Sequence, residues 1–371
     1  MILKYLQLIN FRNFEHLKIE FDSGINIISG RNGQGKTSIL ESIYYLALTK
    51  SFRTSNDNNV ISYDKNHFDI TSSVITLLYN QEKQFRLYYA LKEGKHLFIE
   101  KKEVKKFSEY IGTLPCVILT LDDMRLTMGG PQERRKFLDI LISQVSPVYL
   151  EDLKIYRKTV QQRNALLASD NREMINQQLP SWNKQLIKYG SNIILQRTSF
   201  MEFLNQHIGE FYARISGEDE PIHAEYFSTV SEDVQGMEKT EIAGKFEKKL
   251  SLLNRYEIEK KMTVIGPHRD DVYFYKNMRF FKDFCSQGEN KTMVIALKFL
   301  EWEYISREKK IKPVLLLDDI FGELDKSRMN GLIDFLQRIG QAFITTTMQE
   351  KFRDHVPGRL YLLQNKELFN A

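Results

Sequence analysis

The stretch Gly30 to Thr37, GRNGQGKT, constrains this chain more than any other feature. It matches G-x-x-x-x-G-K-[ST] and lies between an apolar run, INIIS, and a run of helical spacing, SILESIYYLAL. The glycines let the backbone curl until successive N–H groups point at phosphate oxygens, and the helix start adds its positive end. Gly30, Arg31, Asn32, Gly33, Gln34 and Gly35 form the expected cradle. Lys36 is placed to reach the β- and γ-phosphates, and the Thr37 hydroxyl to ligate Mg²⁺. A chain built around this element needs a strand, a tight loop and a helix in succession. An α/β fold that binds a nucleoside triphosphate is expected.

Such a site needs an acidic partner. LLLDDIFGELD, Leu315 to Asp325, supplies it: an apolar strand delivers Asp318 at its carboxyl end, where open α/β sheets place ligands. Asp318 is the candidate metal residue, and Asp319 the candidate for orienting the attacking water. Lys36 and Asp319 are therefore the catalytic candidates. Asp319 is one methylene shorter than the glutamate common at this position in related ATPases, which predicts slow hydrolysis, not well above about 1 s⁻¹.

Lys36 and Asp318 lie 282 positions apart, which leaves room for more than one element of structure. At 371 residues, two domains are the default expectation. HLKIEF alternates Leu17, Ile19 and Phe21, and residues 70–104 read as a β-meander through ITSSVITLLY, QFRLYYALK and KHLFIEKK. PCVILT reads as a further strand. From Pro131 the spacing turns helical. A first run carries Leu138, Ile142, Leu153, Tyr156, Val160 and Leu167, and a second carries Trp182 to Phe211, with ASDNREMINQQLP punctuating between them. Strand character returns at VYFYK, VLLL and AFITTT. The predicted organisation is a split α/β head, residues 1–124 with 261–371, and an inserted helical lobe, residues 125–260.

Ser286-Gln287-Gly288-Glu289 is small, polar and turn-like, and runs straight into helical residues shortly before the acidic strand. This spacing, with the wide gap from the P-loop, resembles the ABC-type ATPases of the SMC group. There the signature S-x-G-[QE] caps the γ-phosphate held by a partner subunit. The resemblance implies that Ser286, Gly288 and Glu289 face the other chain's ATP, and that Glu323-Leu324-Asp325 forms a D-loop packed against it. NFRNF near the start, SFRT at Ser51 to Thr54, GPQERRKFLD at Gly130 to Asp139, QRN at Gln162 to Asn164, GPHRDD at Gly266 to Asp271 and DDIFGELD narrow the match. The chain resembles the RecF family of recombination mediators over nearly its whole length.

That resemblance implies an ABC-type, SMC-like P-loop ATPase head with a β-meander subdomain and an inserted helical lobe, using ATP and Mg²⁺. It also implies an ATP-dependent homodimer that binds DNA, duplex with gaps or junctions foremost and single strands also. RecO and RecR are the implied partners in loading RecA during replication, repair and the SOS response. Three departures stand out. Glu289 occupies a position where this family more often has glutamine. No glutamine stands in LTLDDMRL, where a Q-loop is expected, so Asp122 or Asp123 is the candidate substitute. No histidine occupies the usual switch position, and Thr345 to Thr347 offer hydroxyls to sense the γ-phosphate.

His268-Arg269 stays open between a structural turn and a ligand contact, and Arg134-Arg135-Lys136 reads first as a solvated face. EKKEVKK reads as phosphate contacts or as a strand edge guarded by lysines. Two cysteines without a CxxC pair exclude a disulfide framework or a zinc site and fit a reducing, cytoplasmic setting. No apolar run approaches the roughly 20 residues needed to cross a bilayer, so no membrane association is expected. An ABC transporter subunit and a small-molecule P-loop kinase remain the alternatives. The helical insert disfavours the first, and the signature disfavours the second. A structural SMC-like protein would need long heptads, which are absent.

Overall fold

The computed structural model describes residues 1–76, 81–347 and 358–370. The chain divides into two compact units: Met1–Asp123 with Ala213–Glu218 and Val294–Ala371, and Met124–Tyr212 with Asp219–Met293.

The first unit holds two six-stranded sheets. One runs in the order Glu367–Asn370, Arg359–Gln364, Ile25–Ser29, Ala342–Thr346, Val314–Asp318, Cys116–Leu119, parallel except at its first pair. Ile25–Ser29, Ala342–Thr346 and Cys116–Leu119 are buried at every residue. That is why these segments read as continuous apolar runs and not as alternating ones. The other sheet is antiparallel, in the order Phe14–Glu20, Ile2–Phe11, His67–Thr76, Gln81–Ala90, Gly94–Ile99, Lys102–Glu103. Its register aligns Leu8, Ile70, Leu87 and Leu97 across four strands, all fully buried. The P-loop helix, Lys36–Leu48, lies in the same apolar cluster as both sheets, so it is buried almost all round.

The meander stands as the alternation predicts, with Lys102 on its edge strand; Leu77–Tyr79 of the expected first run lie outside the described residues. Two strands have partners the pattern did not indicate. PCVILT belongs to the parallel sheet, beside Val314–Asp318. VYFYK, within Asp271–Lys276, joins a separate antiparallel sheet with Ile222–Phe227 and Arg279–Phe280 in the second unit.

The second unit is mainly helical: Pro131–Val145, Pro147–Leu167, Lys239–Lys260 and most of Arg172–Ser216. The 45-residue helix Arg172–Ser216 contains Pro180, so the expected punctuation shrinks to residues 168–171. A proline removes one backbone hydrogen bond, and the turns on either side here continue without a break. Gly190 lets this helix approach its neighbours; a Cβ there would stand 2.6 Å from the Phe246 ring and 3.0 Å from that of Tyr156. The proposed lobe boundary at 260/261 differs from the compact units. Strand 271–276 pairs with 222–227, which carries the second unit on to Met293, inside the helix Gln287–Lys309.

Arg163 and Glu257 form an ion pair at 2.5 Å, both with fully buried side chains. Arg163 also donates to Thr263 Oγ1 and Asn183 Oδ1, each at 2.9 Å, and Glu257 Oε1 accepts from the Val264 amide at 2.9 Å. Asn164 Oδ1 accepts from the Thr263 amide and hydroxyl at 2.7 Å each. QRN is thus the anchor for the turn that enters GPHRDD.

Candidate functional site

The parallel register decides the geometry of the site. Ala342–Thr346 lies between the P-loop strand and the acidic strand, and pairs Thr345 with Ile28 on one side and Asp318 on the other. P-loop, Asp318 and Thr345 therefore meet at the carboxyl ends of three adjacent strands.

Gly35 has φ 111° and caps the helix in the left-handed region. A Cβ there would also lie 2.6 Å from the Asn13 side chain and 2.7 Å from Phe14, so two constraints demand glycine. Gly30 approaches the Leu363 carbonyl so closely that a Cβ would stand 2.6 Å from it. Lys36, only 4% exposed, donates to the Gly30 carbonyl at 2.9 Å and is 3.9 Å from Asp319 Oδ2. Thr37 Oγ1 donates to Asp318 Oδ1 at 2.9 Å.

Thr345 completes the network. Its buried hydroxyl donates to Asp318 Oδ1 at 2.8 Å and accepts from the Asp319 amide at 3.0 Å. It therefore orients the acidic pair: of the hydroxyls expected to sense a γ-phosphate, that of Thr345 is engaged with the two aspartates. Asp319 takes φ 50°, a left-handed conformation that aspartate tolerates better than most residues. Burial raises the Asp318 pKa, with the Asp319 charge adding to it, while the Thr345 and Thr37 hydroxyls oppose the rise. Thr345→Val keeps the shape and removes both bonds. It is expected to destabilise the chain by about 1–3 kcal/mol in denaturant unfolding, and to raise the Mg²⁺ needed for nucleotide binding in a titration.

A cavity of about 900 Å³ extends from Asn32, Gly33, Gly35, Lys36 and Thr37 to Arg12, Asn13, Arg53, Asn59 and Asp319. Arg12 reaches it from a strand end, held to buried Glu41 of the P-loop helix by Nε–Oε2 at 2.9 Å and Nη2–Oε1 at 2.5 Å. Ser51 Oγ donates to Glu41 Oε1 at 2.5 Å, and Arg53 approaches Oε2 at 3.4 Å. NFRNF and SFRT are therefore tied to the P-loop helix through one carboxylate. Spacing gave no sign of Glu41, which sits among apolar residues.

Two hard oxygen donors, Thr37 Oγ1 and Asp318 Oδ1, fit Mg²⁺, which takes one or two protein oxygens and keeps waters or phosphate oxygens for the rest. Among the described residues no cluster of three His, Cys, Asp or Glu could hold a metal alone. Asp123 does not stand in for a Q-loop glutamine. Its Oδ2 accepts from the Thr120 amide at 2.7 Å and its Oδ1 pairs with Lys298 at 3.1 Å.

The signature segment lies in the second unit. The Ser286 amide donates to Glu289 Oε2 at 2.7 Å, and the Glu289 amide donates to Ser286 Oγ at 3.2 Å. This reciprocal capping box starts the helix Gln287–Lys309. Lys276 pairs with Glu289, and with Glu220 at 2.5 Å. The Lys276 ammonium, aided by the Ser286 donors, pulls the Glu289 pKa down to about 2. Ser286 and Gln287 are exposed. Asp325 caps the helix Lys326–Leu336, accepting from the Arg328 amide at 2.9 Å.

The basic run is not a uniform solvated face. Arg134 is buried and grips Asp271 with bonds of 2.7 and 2.9 Å. His268 Nε2 faces the Thr263 carbonyl at 3.3 Å, so it carries the proton and Nδ1 accepts from Tyr156 Oη at 2.7 Å. His268 is thus a structural residue of the turn, and Asp271 pairs with Arg134.

A P-loop strand and an acidic strand flanking a third parallel strand, together with a capped signature helix, define an ABC-type P-loop ATPase head of the SMC kind. Residues 2–366 match the family described as RecF/RecN/SMC N terminal domain. Relatives named DNA replication and repair protein RecF include that of Chloroherpeton thalassium, 38% identical over 352 residues, 94% of this chain and 95% of the relative. That of Bacillus subtilis is 36% identical over 350 residues, 94% of this chain and 93% of the relative. A solved structure of the recombination mediator protein RecF–ATP in the RecFOR pathway superposes with a TM-score of 0.90 at 29% identity, covering 100% of this chain and 97% of the other. An SMC head bound to the C-terminal winged-helix domain of ScpA, with a TM-score of 0.57 at 15% identity and coverage of 100% and 97%, shares the fold. The chain belongs to the RecF family of DNA replication and repair proteins.

Proposed function

We propose that the chain is an ATP-gated, DNA-binding recombination mediator that acts as a homodimer at gapped or junction-bearing DNA. RecO and RecR are its proposed partners in promoting RecA loading during replication, repair and the SOS response, in the cytoplasm. No helix among the described residues is long and apolar enough to cross a membrane.

The observation that carries this reading is the 2.9 Å bond from Thr37 to Asp318, with Lys36 at the head of the same helix. Lys36 exchanges loop carbonyls for the β- and γ-phosphates. Gly30, Arg31, Asn32, Gly33, Gln34 and Gly35 cradle the phosphates with their amides. Thr37 and Asp318 would hold Mg²⁺, which would offset the negative charge on the phosphate oxygens. Asp319 orients the attacking water, its backbone fixed by Thr345. Ser286 and the Gly288 amide cap the γ-phosphate of a second copy. Glu289 acts as a positioning residue here, because its carboxylate is engaged with the Ser286 amide and Lys276. The exposed side chains of Met278 and Phe284, close in sequence to Ser286, support a face that packs against protein. ATP then works as a switch through its higher affinity for the closed dimer.

Sedimentation without nucleotide, with ADP, and with a non-hydrolysable ATP analogue, each with and without gapped DNA, tests this reading. Dimers are expected only with the analogue, and turnover below about 1 s⁻¹ with ATP. DNA affinity is expected to fall steeply with salt. A monomer under every condition would overturn the reading.

A further inference from the structure

GPQERRKFLD and GPHRDD contribute nothing to the nucleotide site, and they come together in the helical unit around a pocket of about 290 Å³. Arg135 and Lys136 reach it from Pro131–Val145, Arg157 from Pro147–Leu167, and Arg197 from the long helix, while Pro267 and His268 form another wall. Four permanent cations thus line a recess with one carboxylate, Asp139. That carboxylate is already shared: Arg197 and Tyr149 donate to Oδ1 at 2.8 and 2.6 Å, and Arg157 donates to Oδ2 at 2.8 Å. Arg135 donates to a neutral acceptor, the Asp270 carbonyl, at 2.6 Å. His268 adds no charge, since burial and the neighbouring guanidinium groups hold its pKa at about 4. The Asp270 carboxylate, which accepts from Tyr226 and Thr229, also acts on Arg135, so four cations stand against two carboxylates and the pocket keeps a surplus of positive charge.

We propose that this pocket binds a phosphomonoester dianion. A surplus of charge matches the second negative charge of a monoester, which an internal phosphodiester lacks. A recess of this size admits a free or terminal phosphate, whereas a continuous nucleic-acid backbone would have to thread in and out. Guanidinium groups on separate helices match the several oxygens of such a group. The pocket belongs to the second unit and the P-loop to the first.

The test uses the full chain with ADP and Mg²⁺ at saturation, so that the P-loop is filled. Oligonucleotides that differ only in a terminal phosphate or hydroxyl are compared by fluorescence anisotropy, and inorganic phosphate is followed by ³¹P line broadening. A terminal phosphate is expected to bind at least about tenfold tighter. Lys136→Gln with Arg157→Gln, both at exposed positions, is expected to abolish that preference while leaving ADP affinity and the unfolding temperature unchanged. Broadening of inorganic phosphate that the double variant loses, with the two oligonucleotides bound equally, would assign the site to a free phosphate species. Equal binding without broadening, or a preference that survives the double variant, would overturn the proposal.

Discussion

Ser286→Arg is expected to leave ATP binding close to parental and to keep the chain monomeric when a non-hydrolysable analogue is present. Ser286 is exposed and belongs to the second unit, whereas every proposed P-loop contact belongs to the first. The substitution removes the side-chain acceptor for the Glu289 amide, a capping loss of about 1 kcal/mol, which a chain of this size tolerates. It also replaces a small hydroxyl with a long cation where a phosphate of the second copy is to be seated. The proposed cap would sit at the centre of the dimer contact. Association should therefore weaken by at least about a hundredfold, within the range seen for buried interface anchors. Ser286→Thr keeps the capping oxygen and should dimerise. Sedimentation velocity of the three chains decides the matter, and normal dimerisation of Ser286→Arg would end the idea of capping in trans.

Arg163→Met is expected to cost about 3–5 kcal/mol, because it leaves Glu257 buried without its cation. The loss also strips a partner from Asn183 and from Thr263, whose amide and hydroxyl tie the turn into GPHRDD to Asn164. In calorimetry the transition of the helical unit should fall by roughly 6–20 °C. Nucleotide affinity should stay near parental, since the P-loop and Asp318 lie in the other unit. Arg163→Met with Glu257→Gln should recover part of the loss, because no bare charge is then left buried. An unchanged transition in the single variant would mean that water reaches Glu257.

The parts that local chemistry dictates were readable in one dimension. Gly35 announces a left-handed turn, the alternation of Leu17, Ile19 and Phe21 announces a half-buried strand, and the unbroken apolar run of Leu315 to Leu317 announces a buried one. The apolar run that ends on Asp318 announces an acidic strand end, while the role of Ser286 is what the family resemblance implies. Pro180 was misread as a boundary, since a helix as long as Arg172–Ser216 absorbs the loss of one bond.

Partners were not readable in the same way. PCVILT and VYFYK have similar local character, yet one completes the parallel sheet and the other a small antiparallel sheet in the second unit. Period and composition describe a strand's faces, while its neighbours depend on chain closure over long separations. The amino-acid order by itself determined that a phosphate-binding loop and an acidic strand exist in this chain. Only tertiary structure decided that Thr345 stands between them and holds both aspartates, that Glu41 gathers Arg12, Ser51 and Arg53, and that Lys276 pairs with Glu289. Each of these is a hydrogen bond or ion pair whose strength depends on distance and burial in space, and spacing along the chain records neither.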